Sequence, residues 1–104
     1  MKSNTNVVFR DVDHSPALAY TINKKLEKLQ KFSNAILHSK VVINSPRKRT
    51  SKAKLFRASI ELVIKGSPIL VTQDNESAHI AIREAFNVAE RKLKANTEKQ
   101  HTPR

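Results

Sequence analysis

The stretch that decides the fold is Ser15–Phe32, SPALAYTINKKLEKLQKF. Ser15 can accept hydrogen bonds from the free N–H groups at the start of a helix, and Pro16 suits the first helical position because no donor is needed there. The apolar residues recur every three or four positions, so at about 100° per residue they line one side of a helix. These residues are Leu18, Ile22, Leu26, Leu29 and Phe32. The stretch predicts an amphipathic helix that ends near Phe32 and packs on another element.

Strand-like segments lie on both sides of this helix. Residues 6–12 (NVVFRDV) and 36–44 (ILHSKVVIN) are rich in β-branched and aromatic side chains, which are typical of strands. Residues 56–64 alternate between apolar and mostly polar side chains, a pattern that predicts a half-buried strand. Residues 65–68 (KGSP) predict a turn, and residues 69–73 (ILVTQ) predict a fourth strand.

A second helix is predicted from a cap at Asp74 or Asn75 to about Ala95. Its apolar stripe consists of Ala78, Ile82, Ala85, Phe86, Ala89 and Leu93, with Ala81 at one edge. The sequence beyond Ala95 is polar and continues no stripe. We therefore expect one domain over residues 1–95 and a flexible polar tail over residues 96–104.

The predicted element order is β-α-β-β-β-α, which indicates an α+β fold. Two helices with one apolar stripe each are best buried on one face of a four-stranded, mainly antiparallel sheet. The other sheet face is expected to be more polar, because Arg57, Ser59 and Glu61 alternate with the apolar residues of the third strand. In the second strand the face assignment stays open, since residues 41–43 (VVI) are apolar at every position.

Charge indicates the class of partner. The chain has 104 residues, with 20 Lys and Arg against nine Asp and Glu, and a net charge of +11. Such a field attracts polyanions, above all nucleic acid. The sequence contains neither an apolar run of the roughly 20 residues that a membrane span requires nor the apolar centre of a signal peptide at its beginning. We expect a cytoplasmic protein that binds RNA and does not bind membranes.

Little in the sequence predicts catalysis or cofactor binding. There is no cysteine, and the one glycine excludes a glycine-rich phosphate loop. The four histidines are too far apart for a metal pair and are interpreted as surface or turn residues. They are His14, His38, His79 and His101. No nucleophile-turn motif is present. We expect a protein that is not an enzyme, with no metal, no cofactor and no small-molecule substrate.

Three groups of basic residues are candidates for contact with RNA phosphates. They lie on the first helix, in the polar loop between the second and third strands, and on the second helix. In that order they are Lys24, Lys25, Lys28 and Lys31; Arg47, Lys48, Arg49, Lys52 and Lys54, with an extension to Arg57; and Arg83, Arg91 and Lys94. Lysine and arginine neutralise phosphates and release counterions. The alternative for each group is an ordinary solvated surface.

The aromatic residues favour the core over a base-stacking surface. Aromatic content is 5%, and Phe32, Phe56 and Phe86 fall at core positions of their elements. Proteins that recognise single strands usually display rings on which bases stack. We therefore expect recognition of structured RNA through phosphates and shape. Six to ten phosphate contacts would cost roughly a thousandfold or more in affinity between low and moderate salt.

The first helix resembles the corresponding helix of bacterial ribosome hibernation-promoting factors, also called ribosome-associated translation inhibitors or ribosomal subunit interface proteins. The shared features are the Ser15-Pro16 cap, the apolar stripe and the KLEKL phrase at residues 25–29. The element order and the ERKL phrase at residues 90–93 also fit that family. The resemblance covers roughly residues 5–95. Because the chain stops soon after the second helix, it resembles the short form of the family.

In that family the domain lies on the small ribosomal subunit near the decoding region and overlaps the sites of messenger and transfer RNA. The resemblance implies a translation regulator that promotes ribosome hibernation. It also implies rRNA contacts at Lys25, Lys28, Lys31 and Arg91, which match basic positions of the family. Lys24 and the loop residues are added on the basis of charge alone.

The second helix departs from the family pattern. Residues 77–83 (SAHIAIR) replace its usual acidic and tyrosine-containing beginning, and Val88 stands where a lysine is common. The alternative function is therefore a general binder of structured, double-stranded RNA, or an RNA chaperone, without a ribosomal target. In either case we expect a monomer when the protein is not bound to RNA.

Overall fold

The predicted order of elements is confirmed. A computed structural model of the chain describes residues 4–32, 36–47, 55–64 and 68–101. The elements in these residues are β1 (Asn4–Arg10), α1 (Pro16–Phe32), β2 (Ile36–Arg47), β3 (Leu55–Ile64), β4 (Ile69–Asn75) and α2 (Ala78–His101). The predicted turn at residues 65–68 lies outside the described residues except for Pro68.

The four strands form one sheet in the order β1-β2-β3-β4. β1 and β2 are parallel, and α1 is the crossover between them, as a parallel pair requires. β2, β3 and β4 follow one another as antiparallel neighbours. The sheet is therefore mainly antiparallel, and the predicted α+β class is confirmed.

Both helices pack on the same face of the sheet. In β3 every second residue is buried, and these residues point toward the helices. The helix stripes close this core from above, with Leu18, Ile22, Leu26 and Leu29 from α1 and Ala81, Ile82, Ala85, Phe86, Ala89 and Leu93 from α2. Each fully buried Leu or Ile contributes about 1.5–3 kcal/mol relative to an exposed one. This core holds the two helices on one side of the molecule.

The structure decides the face assignment of β2 that the sequence left open. Val41 and Ile43 are buried under the helices, whereas Val42 is half-buried on the opposite face, which we call the open face. The register with β3 shifts between Ile36 and His38, so an extra residue is inserted at Leu37. Such a bulge moves every later side chain to the other face. It also brings Ser39 into the core, where its hydroxyl is buried without a hydrogen-bond partner.

Several strand boundaries differ from those predicted. β1 ends at Arg10 rather than residue 12, because Asp11 adopts a left-handed backbone with φ of 60° that interrupts the extended chain. β2 continues to Arg47, where it still pairs with Leu55 of β3. β4 continues to Asn75, where it pairs with Phe56. Cross-strand pairing sustains these extensions, although their sequences carry no strand pattern.

The first helix begins as predicted. The Leu18 N–H donates to Ser15 Oγ at 3.2 Å, which confirms Ser15 as the cap of α1. The second helix continues past the predicted end near Ala95 to His101. Backbone hydrogen bonds propagate an existing helix through polar residues until a residue such as proline stops it. The division into a domain over residues 1–95 and a flexible tail over residues 96–104 stays a prediction.

The predicted cap of the second helix is wrong. Ser77 is the cap of α2: its hydroxyl accepts a hydrogen bond from the Ile80 N–H at 3.3 Å. Asn75 instead accepts the Ser77 N–H at 2.9 Å through its side-chain oxygen, which turns the chain from strand to helix. Asp74 is still part of β4 and faces an arginine of β3. The helix starts later because sheet pairing holds residues 74 and 75 in the strand.

Candidate nucleic-acid interface

The lysines of α1 lie on one flank of the helix. Because the apolar stripe is buried, the helical geometry turns residues 24, 28 and 31 toward solvent. Lys24, Lys28 and Lys31 are exposed, and Lys25 is half-buried at the edge of the stripe. A half-buried lysine can lie along apolar neighbours with its stem and keep its ammonium group in water. All four predicted α1 residues therefore offer charge on the surface.

The basic residues of α2 are also exposed. The predicted residues Arg83, Arg91 and Lys94 are at the surface, together with Lys92. Glu84 and Glu90 on the same helix are half-buried. At 100° per residue, Arg83 and Lys94 fall on the same flank of α2 as Glu90.

A groove lies between the two helices. It has a volume of about 240 Å³ and is lined by Lys28, Leu29 and Lys31 of α1 and by Glu90 of α2. The second halves of the two helices therefore lie side by side, with the lysine flank of α1 facing α2. We call the solvent-facing side of α1 and α2, including this groove, the helix layer. The sequence predicted both clusters but not that Lys28 and Lys31 share a groove with Glu90 of α2.

The strand ends that flank the basic loop in the sequence lie at the other end of the sheet. Arg47 and Leu55, which flank the loop, pair at the end of the sheet where β1 and β4 end and both helices begin. The groove lies near the end of α1, which leads into the beginning of β2. A strand of 12 residues spans about 40 Å at 3.3 Å per residue, so these strand ends and the groove are far apart. Lys48, Arg49, Lys52 and Lys54 lie outside the described residues, as does the side chain of Arg47.

On the open face, Arg57 forms an ion pair rather than an extension of the basic loop. Its Nε and Nη2 donate to the two carboxylate oxygens of Asp74 at 2.9 and 3.1 Å. These hydrogen bonds, together with the charge of Arg57, hold the pKa of Asp74 below its ordinary value, against the partial desolvation that raises it. The carboxylate in turn raises the pKa of Arg57. The positive charge of Arg57 is therefore compensated within the protein.

Sequence reasoning overlooked an exposed aromatic residue. Tyr20 on α1 is 65% exposed, and the Lys24 ammonium group lies 5.8 Å from the centre of its ring. Of the aromatic residues predicted for the core, Phe86 is buried and Phe56 is half-buried, while the side chain of Phe32 lies outside the described part. Position 20 is two residues from both Leu18 and Ile22, so helical periodicity places it opposite the stripe. From this spacing the exposure of the Tyr20 ring could have been predicted.

The histidines and carboxylates of the described residues form no further candidate site. They contain no group of three or more side chains placed to hold a metal ion. His14 is exposed and contacts the edge of Phe9, with ring centres 4.7 Å apart. No helix in this part of the chain is both long and apolar enough to cross a membrane.

The chain was then compared with known protein families. The family model described as Sigma 54 modulation protein / S30EA ribosomal protein matches residues 5–101. The chain belongs to this family. The predicted kinship with hibernation-promoting factors is thereby confirmed, and the S30EA family is ribosome-associated. No curated protein sequence matches the chain significantly.

Solved structures show the same fold at low sequence identity. The Protein Y N-terminal domain of Thermus thermophilus superposes with a TM-score of 0.74 at 22% identity, covering 90% of this chain and 98% of that one. A ribosomal subunit interface protein from Coxiella burnetii gives a TM-score of 0.77 at 18% identity, covering 91% and 98%. The fold is thus retained while most residues differ, so the contacts of this chain must be argued from its own residues.

Proposed function

We propose that this S30EA-family protein is a non-enzymatic translation regulator of the cytoplasm. It binds rRNA of the small ribosomal subunit near the decoding region, blocks the sites of messenger and transfer RNA, and promotes ribosome hibernation. The observation that carries the proposal is the groove between α1 and α2, because Lys28 and Lys31 line it and Arg83 and Lys94 fall on the flank of α2 whose Glu90 borders it.

The electrostatics of the helix layer support an RNA ligand. Between residues 16 and 95, the two helices contain eight Lys and Arg against three Glu. Phosphates of rRNA are the ligands that neutralise such a surface most effectively, because each contact also releases counterions. A basic partner would be repelled.

The spacing of the lysines suits a folded RNA. Lys24 and Lys31 are seven residues apart, which corresponds to about 10 Å along the helix axis. Both are presented from a helix anchored by four buried residues of its stripe. A rigid row of charges of this length can follow an RNA backbone without first becoming ordered, which favours recognition of structured RNA by shape.

Co-sedimentation with purified small and large ribosomal subunits tests the proposal. We expect the protein to sediment with the small subunit at low salt and to compete there with messenger and transfer RNA. We also expect binding to small subunits to be tighter than binding to a duplex RNA of arbitrary sequence. Equal affinity for the duplex would favour the general structured-RNA binder, and failure to sediment with either subunit would refute ribosome binding.

A pair of matched variants tests the surface. In Lys28→Ala with Lys31→Ala, two phosphate contacts are lost from the groove. The negative slope of log affinity against log salt should therefore become shallower by about 1.4–1.8. Arg10→Ala with Lys40→Ala removes the same charge from β1 and β2 and should leave the slope unchanged. If both pairs behave alike, net charge rather than the helix layer determines binding.

A further inference from the structure

The ring of Tyr20 has no role in the core. The buried residues of α1 are Leu18, Ile22, Leu26 and Leu29, and Tyr20 lies on the opposite side of the helix with 65% of its surface exposed. A single exposed apolar residue is common on protein surfaces and by itself indicates nothing. Tyr20 differs because of where it lies, at the beginning of the lysine flank of α1.

A cation is already placed against this ring. The Nζ atom of Lys24, one helical turn further along α1, lies 5.8 Å from the centre of the Tyr20 ring. At this distance the ammonium group is attracted by the negative face of the ring. The contact orients an aromatic surface and a phosphate-binding charge together, while most of the ring stays in contact with solvent.

We propose that Tyr20 stacks against an unpaired RNA base and that Lys24 binds the phosphate beside that base. This inference rests on the proposed function, because it requires the helix layer to face RNA. It adds to that function a second mode of recognition, in which an unpaired nucleotide is distinguished from a paired one.

The chemistry of the pair favours a nucleotide over other occupants. A phosphate satisfies Lys24, and a base offers the flat π-surface on which an aromatic side chain stacks. In a duplex both faces of a base are covered by its neighbours, so only a bulged, looped or terminal base can reach Tyr20. Lys28 and Lys31 continue the basic flank and can hold the adjoining backbone.

The composition of the chain offers a direct measurement. Tyr20 is the one tyrosine, and the chain has no tryptophan, so the tyrosine fluorescence of the protein comes from this ring alone. We expect an RNA hairpin with an adenosine loop to quench this fluorescence. The same hairpin with a loop that lacks bases should bind through its phosphates and quench much less. Equal quenching by both hairpins would overturn the proposal.

Variants separate stacking from charge. Tyr20→Ala should weaken binding to the adenosine-loop hairpin by about five- to tenfold, and Tyr20→Phe should retain it, because stacking requires the ring and not the hydroxyl. Binding of Tyr20→Ala to the base-free hairpin should equal that of the unmodified protein. Leu70→Ala is the matched control, since Leu70 is 64% exposed but lies on the open face.

The outcomes also separate this inference from the proposed function. If Tyr20→Ala binds both hairpins and small subunits as tightly as the unmodified protein, Tyr20 is not a stacking residue. The proposal that the protein binds the ribosome would still stand. If the unmodified protein binds neither hairpins nor ribosomal subunits, both proposals fail.

Discussion

The helix layer and the open face of the sheet carry their charges in different ways. On the helix layer, lysines accumulate on one flank of α1, and two of them, Lys28 and Lys31, border a groove whose α2 side is lined by Glu90. On the open face, Arg57 is paired with Asp74, and the strand register places Lys40 directly opposite Glu61. Uncompensated charge of one sign opposes compact folding. Under the proposed function, the excess of positive charge on the helix layer serves to bind RNA.

The net charge of the chain does not predict which surface binds the ligand. A value of +11 is a sum over the whole chain and attracts any polyanion. The position of the charges on the folded protein decides which face binds the polyanion. Arg57 belonged to the basic loop cluster by sequence, yet its side chain lies across the sheet from the helices and is neutralised by Asp74.

The largest effect is expected from two adjacent valines of β2. Val41 is fully buried under the helices, whereas Val42 is half-buried on the open face. Val41→Ala should lower the free energy of unfolding by about 2 kcal/mol, because it removes two methyl groups and leaves a cavity. Val42→Ala should cost less than about 1 kcal/mol. Urea unfolding measures both, and similar losses would mean that the open face is covered in solution.

A second matched pair concerns buried and half-buried hydroxyl groups. Ser39 points into the helix-facing core, and its hydroxyl has no hydrogen-bond partner. Ser39→Ala should therefore stabilise the protein by about 1 kcal/mol, because an unsatisfied buried polar atom is removed. Ser59→Ala, at a half-buried site on the open face, should change stability by less than about 0.5 kcal/mol. Destabilisation by Ser39→Ala in thermal unfolding would show that its hydroxyl has a partner in solution.

The charges of the two faces should affect the free protein in opposite directions. Lys28 lies four residues from Lys24 and three from Lys31, so Lys28→Ala relieves repulsion and adds a better helix former. We expect a gain of about 0.5 kcal/mol in stability, together with weaker rRNA binding. Lys40→Ala removes the residue opposite Glu61 and should cost a few tenths of a kcal/mol instead. Thermal unfolding at low salt measures both, and two changes of the same sign would contradict the comparison.

The smallest effect is expected from the ion pair of the open face. Arg57 and Asp74 are partly exposed, so a double-mutant cycle with Arg57→Ala and Asp74→Ala should give a coupling energy of about 0.2–1 kcal/mol. Because Arg57 lowers the pKa of Asp74 from its ordinary value of 3.8, this coupling is fully present above pH 3.8. It is lost as the pH falls through the lower pKa of the folded protein. Denaturant unfolding as a function of pH tests this, and a coupling that grows on acidification would exclude the pair as its source.

Local patterns in the sequence predicted much of the fold. The Ser15-Pro16 cap and the α1 stripe depend only on contacts within one helix, and the alternation of β3 depends only on the two-residue period of a strand. The structure therefore confirms these three predictions. The cap of α2 was wrongly predicted because β4 pairs with β3 as far as Asn75. A local rule could not anticipate that pairing.

The element order, the amphipathic helices, the family kinship and the abundance of positive charge could all be predicted from the amino-acid sequence. Each of these is encoded by residue type and by spacing along one element. Three features emerge from the fold alone: the bulge at Leu37 turns Ser39 inward, Arg57 pairs with Asp74, and Lys28 and Lys31 share a groove with Glu90. The physical reason is that these contacts join residues far apart in the chain. They exist only once the β1-α1-β2 crossover and the antiparallel register have brought the elements together.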